Sequence, residues 1–162
     1  MSTSDVSDIK VQLLAISKRA ELVARRVGPK LIAMRPEPGV WSVAECLTHL
    51  RMTVEAYMPI WQEACRDAFA AGQCAPAKPF KLDFWGRFLV WFLEPPPKLR
   101  FPAPRKFRPK LEGNQDGALA AFLASQDNML KLITAAGELP LDGIIIRSAF
   151  GRYIRYSLWS SF

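Results

Sequence analysis

The sequence predicts an all-α protein, a helical bundle in a single domain spanning residues 1–162. Three observations carry that expectation. Apolar residues recur at alternating intervals of three and four over several stretches, which is the period of an amphipathic helix. A capping box marks where one of these helices begins. The chain has no internal repeat, and its 162 residues are about one domain's worth, enough to bury roughly two thirds of the unfolded surface without a disulfide or a metal. Helices with one apolar stripe each must bury those stripes against one another, and a bundle does so.

The first stripe runs through Ile9, Leu13, Ile16, Ala20, Val23 and Val27, and Gly28-Pro29 interrupts it. Leu31, Ile32 and Met34 allow one more turn before the break at Pro36-Glu37-Pro38-Gly39. The second helix starts at Ser42-Val43-Ala44-Glu45, a capping box in which serine and glutamate satisfy each other's backbone donors. Trp41 precedes the cap and is expected to staple against Cys46. The stripe continues through Val43, Leu47, Leu50, Val54, Tyr57, Trp61, Ala64 and Ala68, passing Pro59 unbroken. A third helix is expected over about 115–136, after Gly113-Asn114, with Leu119, Phe122, Leu123, Leu130 and Ile133 inward and Gly137 as its stop. Ile144-Ile145-Ile146 reads as an extended connection. A fourth helix is expected from near Arg152, short or truncated at Phe162.

The long connection between the second and third helices is Pro-rich, basic and aromatic. Residues 78–110 carry nine basic side chains against Asp83 and Glu94, so the whole net charge of +7 lies in this segment. Phe84, Trp85, Phe88, Leu89, Val90, Trp91, Phe92 and Leu93 form a dense apolar patch that is too short to span a bilayer. The favoured reading is a short helix and an extended strap packed across the bundle. Contact of 78–110 with a membrane surface ranks second. Nucleic acid ranks lower, because no recognition motif accompanies the charge.

Half the residues are apolar, the proportion of a folded globular chain. The N-terminal residues lack a signal-peptide pattern, which suggests a cytoplasmic protein. Cys46, Cys65 and Cys74 form no C-x-x-C pair, which argues against a disulfide scaffold or structural zinc. Cys46 and Cys65 are expected to be buried as small hydrophobes.

His49 is the single histidine. It lies one turn beyond the capping box at the edge of the core stripe, a place that suits either a hydrogen-bonded core residue or a metal ligand. No G-x-S-x-G elbow and no glycine-rich phosphate loop is present. Glu45 is explained by its cap, and Glu55 and Glu63 are expected in solvent.

The run Pro36-Glu37-Pro38-Gly39-Val40-Trp41-Ser42-Val43-Ala44-Glu45-Cys46-Leu47-Thr48-His49-Leu50 resembles the signature of the DinB-like superfamily. The stretch Glu94-Pro95-Pro96-Pro97, with Pro104-Arg105-Lys106-Phe107-Arg108-Pro109, resembles a connection found in one branch of it. The resemblance extends from about Ile9 to the end. It implies a four-helix bundle, often a homodimer, with zinc or nickel held by three histidines and hydrolase or thiol-transferase activity. His49 matches the first ligand, and Trp41, Cys46 and Tyr57 are the candidate pocket residues. The other two histidines belong on the last helix, and Gly151–Phe162 contains neither. Shortening of a longer chain is the preferred explanation, with loss of the metal as the competing one. Shortening would leave an exposed apolar groove that drives dimerisation. The alternative function is a non-enzymatic module that binds a small apolar molecule or a partner surface.

Overall fold

Most of the described chain is helical, and its one sheet is a two-stranded hairpin near the C-terminus. The computed structural model describes residues 5–74, 79–93, 103–109 and 117–162, with Leu93 and Arg152 described by backbone alone. The expected Gly113-Asn114 break, the Gln115 helix start and Pro95-Pro96-Pro97 lie outside the described residues.

Helix α1 (Val6–Val27) opens on an Asp5–Asp8 capping box and closes at Gly28, whose φ of +80° suits glycine. Helix α2 (Val43–Ala70) opens on the Ser42–Glu45 box and runs through Pro59 without ending. Helix α3 (Phe84–Leu93) follows, and helix α4 (Ala118–Ala135) packs along both α1 and α2. Met129 and Ile133 of α4 share one buried core with Leu13, Tyr57, Trp61 and Cys65, and Phe122 is buried as well. α4 is the main neighbour of α1, so the covered arc of α1 is narrow. Leu13 and Ala24 are buried, whereas Ile16 and Val23 of the expected stripe are exposed. Leu50 of the α2 stripe is exposed as well.

Three further expectations need correction. Cys46 is exposed; Glu45 beside it is turned inward, and successive helical residues point about 100° apart. Gly137 does not cap α4 with positive φ. Instead a 3₁₀ turn at Ala136–Glu138 ends the helix, and Leu139 goes straight into the core through a 3.0 Å bond from its N–H to the Ala136 carbonyl. The largest change is at the C-terminus. Residues from Arg152 do not begin a helix. They belong to strand β2 (Gly151–Ser157), antiparallel to β1 (Ile145–Ser148) with Ile146 opposite Tyr156 and Arg147 opposite Arg155. Tyr153 and Arg155 face solvent while Ile154 and Tyr156 turn inward, a period of two that overrides the helical reading. Only α5 (Leu158–Ser161) is helical, one turn capped by the Ser157 hydroxyl, which accepts from Ser160 N at 3.1 Å.

The hairpin lies against α2 through β1 and against α3 through β2. Asp83 fastens α3 in place. One carboxylate oxygen accepts from Gly86 N at 2.7 Å, capping the helix, and the other accepts from Ser157 N at the end of β2. Gly86 is buried against α5, where an added Cβ would sit 2.3 Å from Ser160 Oγ and 2.5 Å from its Cβ. Trp61 Nε1 donates to Ser161 Oγ at 2.9 Å, so α2 also holds α5.

The start of α2 is held by a carboxylate that is 1% exposed. Glu45 accepts from Ser42 N at 2.8 Å and, in a two-pronged ion pair, from Arg35 Nε at 2.9 Å and Nη2 at 2.6 Å. Ser42 Oγ accepts from Glu45 N at 3.1 Å. The Arg35 bond is the main reason the Glu45 pKa lies below the ordinary value, against the opposing effect of burial.

Two outcomes follow from these contacts. Gly86→Ala should lower unfolding stability by about 1–3 kcal/mol through overpacking at Ser160, measured as a lower urea midpoint; an unchanged midpoint would show that α3 does not need this close approach. For Glu45, the folded form binds its proton less readily than the unfolded chain. Its contribution is therefore complete at neutral pH and is lost as pH falls from the ordinary glutamate pKa of about 4.3 through the lower folded value. The urea midpoint of Glu45→Gln should fall less steeply than that of the parent chain across that acid range.

Candidate functional site around His49

The second turn of α2 presents His49, and the cap decides what surrounds it. Because Ser42 and Glu45 fix the helix entry, Trp41 is held just before it, and its ring sits 5.1 Å from the His49 ring in a tilted contact. Trp41 therefore covers the histidine. The other side of the imidazole meets the strap after α3. His49 Nδ1 lies 2.7 Å from the Phe107 carbonyl oxygen. A carbonyl only accepts, so Nδ1 carries the proton and Nε2 holds the lone pair in the neutral ring. His49 is half-buried, and Nε2 makes no hydrogen bond with the described residues.

Phe107 is buried on a 3₁₀ turn at Arg105–Phe107. Lys106 on that turn donates from Nζ to the Ala149 carbonyl at 2.8 Å and lies 4.8 Å from the Phe107 ring centre. The strap is thereby tied to the hairpin bend. Phe150, in that bend, joins the two halves of the site, with ring centres 4.7 Å from Phe107 and 5.7 Å from Tyr57.

Tyr57 is two turns further along α2, in a polar cluster of its own. Its hydroxyl lies 3.1 Å from Ser148 Oγ and forms a short hydrogen bond with the Tyr156 hydroxyl. Burial, foremost, raises the Tyr156 phenol above its ordinary value. The cluster holds the hairpin on α2 through hydroxyl–hydroxyl bonds, and the Asp83 carboxylate is near enough to add to the rise at Tyr156. Trp61 stacks on Tyr57 at 5.3 Å.

Of the residues singled out in sequence, Trp41 and His49 are brought together. Tyr57 joins them only through Phe107 and Phe150. Cys46 is exposed, and both partial desolvation of its thiol and the adjacent Glu45 carboxylate push its pKa up. That makes it a weaker nucleophile than an ordinary cysteine. Among the described residues, one open groove of about 260 Å³ lies between α2 and α4 beside Val54 and Ser125, and another of about 310 Å³ lies beside Ala64 and Ile144. Neither is lined by Trp41, Cys46, His49 or Tyr57.

The donor set does not fit the implied metal. Among the described residues no group of three His, Cys, Asp or Glu side chains lies close enough to share an ion. A tight zinc site needs three or four such donors, and Glu45, the nearest carboxylate in sequence, has both oxygens committed to Arg35 and Ser42. Sequence reading overlooked Arg35, Phe107 and Phe150. Phe107 entered only as a member of the Pro104–Pro109 stretch, with no role at His49; it and Phe150 come from 58 and 101 residues beyond His49. No family model, curated protein or solved structure matches the chain.

Proposed function

We propose that this chain is a DinB-like helical domain in which His49 is the chemically active side chain. The observation that supports this reading is the hydrogen bond from His49 Nδ1 to the Phe107 carbonyl. It gives the imidazole one tautomer and one orientation, with the Nε2 lone pair left for a ligand. Histidines that bind metals or take up protons are commonly held this way. The run from Pro36 to Leu50 that carries the resemblance is also the run that builds this arrangement, through the Glu45 cap and the Trp41 ring. In the superfamily reading the helices form a four-helix bundle, and the activity is that of a zinc- or nickel-dependent hydrolase or thiol transferase. The described residues bring no three donors together for such a metal, so no metal-dependent step is assigned to them. Pairing of two copies belongs to the same reading. Ile16 and Val23 of α1 and Leu50 of α2 are exposed apolar residues that a second copy would cover.

The single histidine makes the test direct, since one imidazole gives one set of ¹⁵N resonances. At neutral to mildly alkaline pH, the expected spectrum shows a protonated Nδ1 and an unprotonated Nε2. Added zinc should shift Nε2 in a weak association that His49→Phe abolishes. A ring protonated on Nε2, or one that zinc leaves untouched, would make His49 an ordinary packed residue and remove the reading. A one-to-one zinc complex surviving gel filtration would demand donors beyond the described residues and would strengthen the metalloenzyme assignment.

A second reading, a non-enzymatic module that binds a partner surface, is favoured by a different observation, the outward face of α3.

A further inference from the structure

α3 packs on the fold by one side and leaves an aromatic face on the other. Gly86 is buried against Ser160, and Leu89 reaches the core. At 100° per residue, Phe84, Phe88 and Trp91 fall within an arc of about 60° on the opposite side. Phe84 is 76% exposed, Trp91 54%, and Trp85 and Phe88 43% each. The rings also touch one another. Phe88 stacks on Phe92 at 6.0 Å and meets Trp85 edge-on at 6.1 Å. They make one continuous apolar surface on a ten-residue helix.

The described charges on and just before the helix are mainly basic, although Asp142 accepts from Lys81 N at 3.3 Å. Lys81, just before the helix, and Arg87, on it, are exposed. Asp83, which would oppose them, is turned inward with both carboxylate oxygens bound to backbone N–H groups. The segment 78–110 that contains α3 carries the chain's whole excess of positive charge. No described helix is long and apolar enough to cross a membrane.

We propose that α3 is an interfacial anchor for an anionic phospholipid surface. Phe84, Phe88 and Trp91 enter the boundary between headgroups and acyl chains, and Lys81 and Arg87 face the lipid phosphates. Aromatic residues suit that depth because the boundary accepts an apolar ring beside polar groups. Basic side chains at the rim add attraction to anionic headgroups. This occupant satisfies both halves of the surface. A second copy docked face to face would set Lys81 and Arg87 near their like-charged counterparts. Single-stranded nucleic acid takes a positively charged groove along its backbone as well as stacking rings, and neither groove described above is lined by a basic residue. The Asp83 latch and the close approach at Gly86 hold the face outward, so it cannot fold back to cover itself.

The experiment uses the full chain with vesicles of phosphatidylcholine alone and of phosphatidylcholine with phosphatidylserine, read by sedimentation and tryptophan emission. Binding should require phosphatidylserine, weaken as salt rises, and shift tryptophan emission to the blue. The Phe88→Ser/Trp91→Ser variant should bind about tenfold or more weakly, and Arg87→Glu about tenfold. Both alter exposed residues, and circular dichroism should show unchanged helix content. Absence of vesicle binding, equal binding to neutral vesicles, or full binding by the double variant would overturn the proposal. So would a dimer that the double variant abolishes without any vesicle binding, which would assign the face to a second copy. Preferential capture of a single-stranded oligonucleotide would overturn it in favour of nucleic acid. None of these outcomes touches the His49 ring, so this anchor and the histidine reading stand or fall separately.

Discussion

A carboxylate shut away from water needs partners for both oxygens, and at Glu45 that need organises one end of the molecule. Burial of a charge is expensive when unpaired and tolerable when hydrogen-bonded on all sides. Arg35 reaches in from the loop after α1 with two N–H groups, and Ser42 supplies its backbone N–H. The same carboxylate therefore closes the capping box, fixes the start of α2 and ties the Pro36–Gly39 turn to the helix. Trp41 is one residue outside that knot and His49 one turn inside it. Their contact follows from where the knot is tied.

Midway along α2 the organising groups are hydroxyls. Tyr57, Tyr156 and Ser148 exchange hydrogen bonds where the hairpin crosses the helix, and Trp61 reaches Ser161. From there the connections run outward. Ser157 N and Ser160 Oγ engage Asp83, Asp83 caps α3, and Gly86 lets α3 come close. The hairpin is thus the piece through which α2 and α3 are joined. A helix in its place would not offer the free backbone N–H of Ser157 that Asp83 uses, because interior helical N–H groups are already paired.

Between these two places, Phe107 and Phe150 connect His49 to Tyr57. That path is apolar apart from its termini. The imidazole at one terminus is oriented and half-buried, and the hydroxyl cluster at the other is buried and saturated. The oriented imidazole is the group that the proposed function uses, while the Tyr57 hydroxyl holds the hairpin on α2. The aromatic face of α3 belongs to neither. It lies on the far side of that helix from the fold, where it adds nothing to the core and exposes apolar area to solvent.

The bodies of α1, α2 and α4, their order and the start of α2 were legible in the sequence, whereas the helix expected from near Arg152 was not there. Apolar spacing and capping chemistry are local properties, decided by residues within a turn or two of one another. The hairpin was partly legible. Ile144–Ile146 reads as extended, but the alternation of Tyr153, Ile154, Arg155 and Tyr156 is short enough to pass for a helix until Ile146 is found opposite Tyr156. What tertiary structure alone decided is every partner drawn from far along the chain. Arg35 on Glu45, the Phe107 carbonyl on His49, Phe150 between Phe107 and Tyr57, and Asp83 on Ser157 all depend on loop paths that periodicity does not encode. His49 was identifiable from its place on α2, but its tautomer was not. A neutral imidazole takes its proton position from the group it faces, and that group is supplied by a strap 58 residues away.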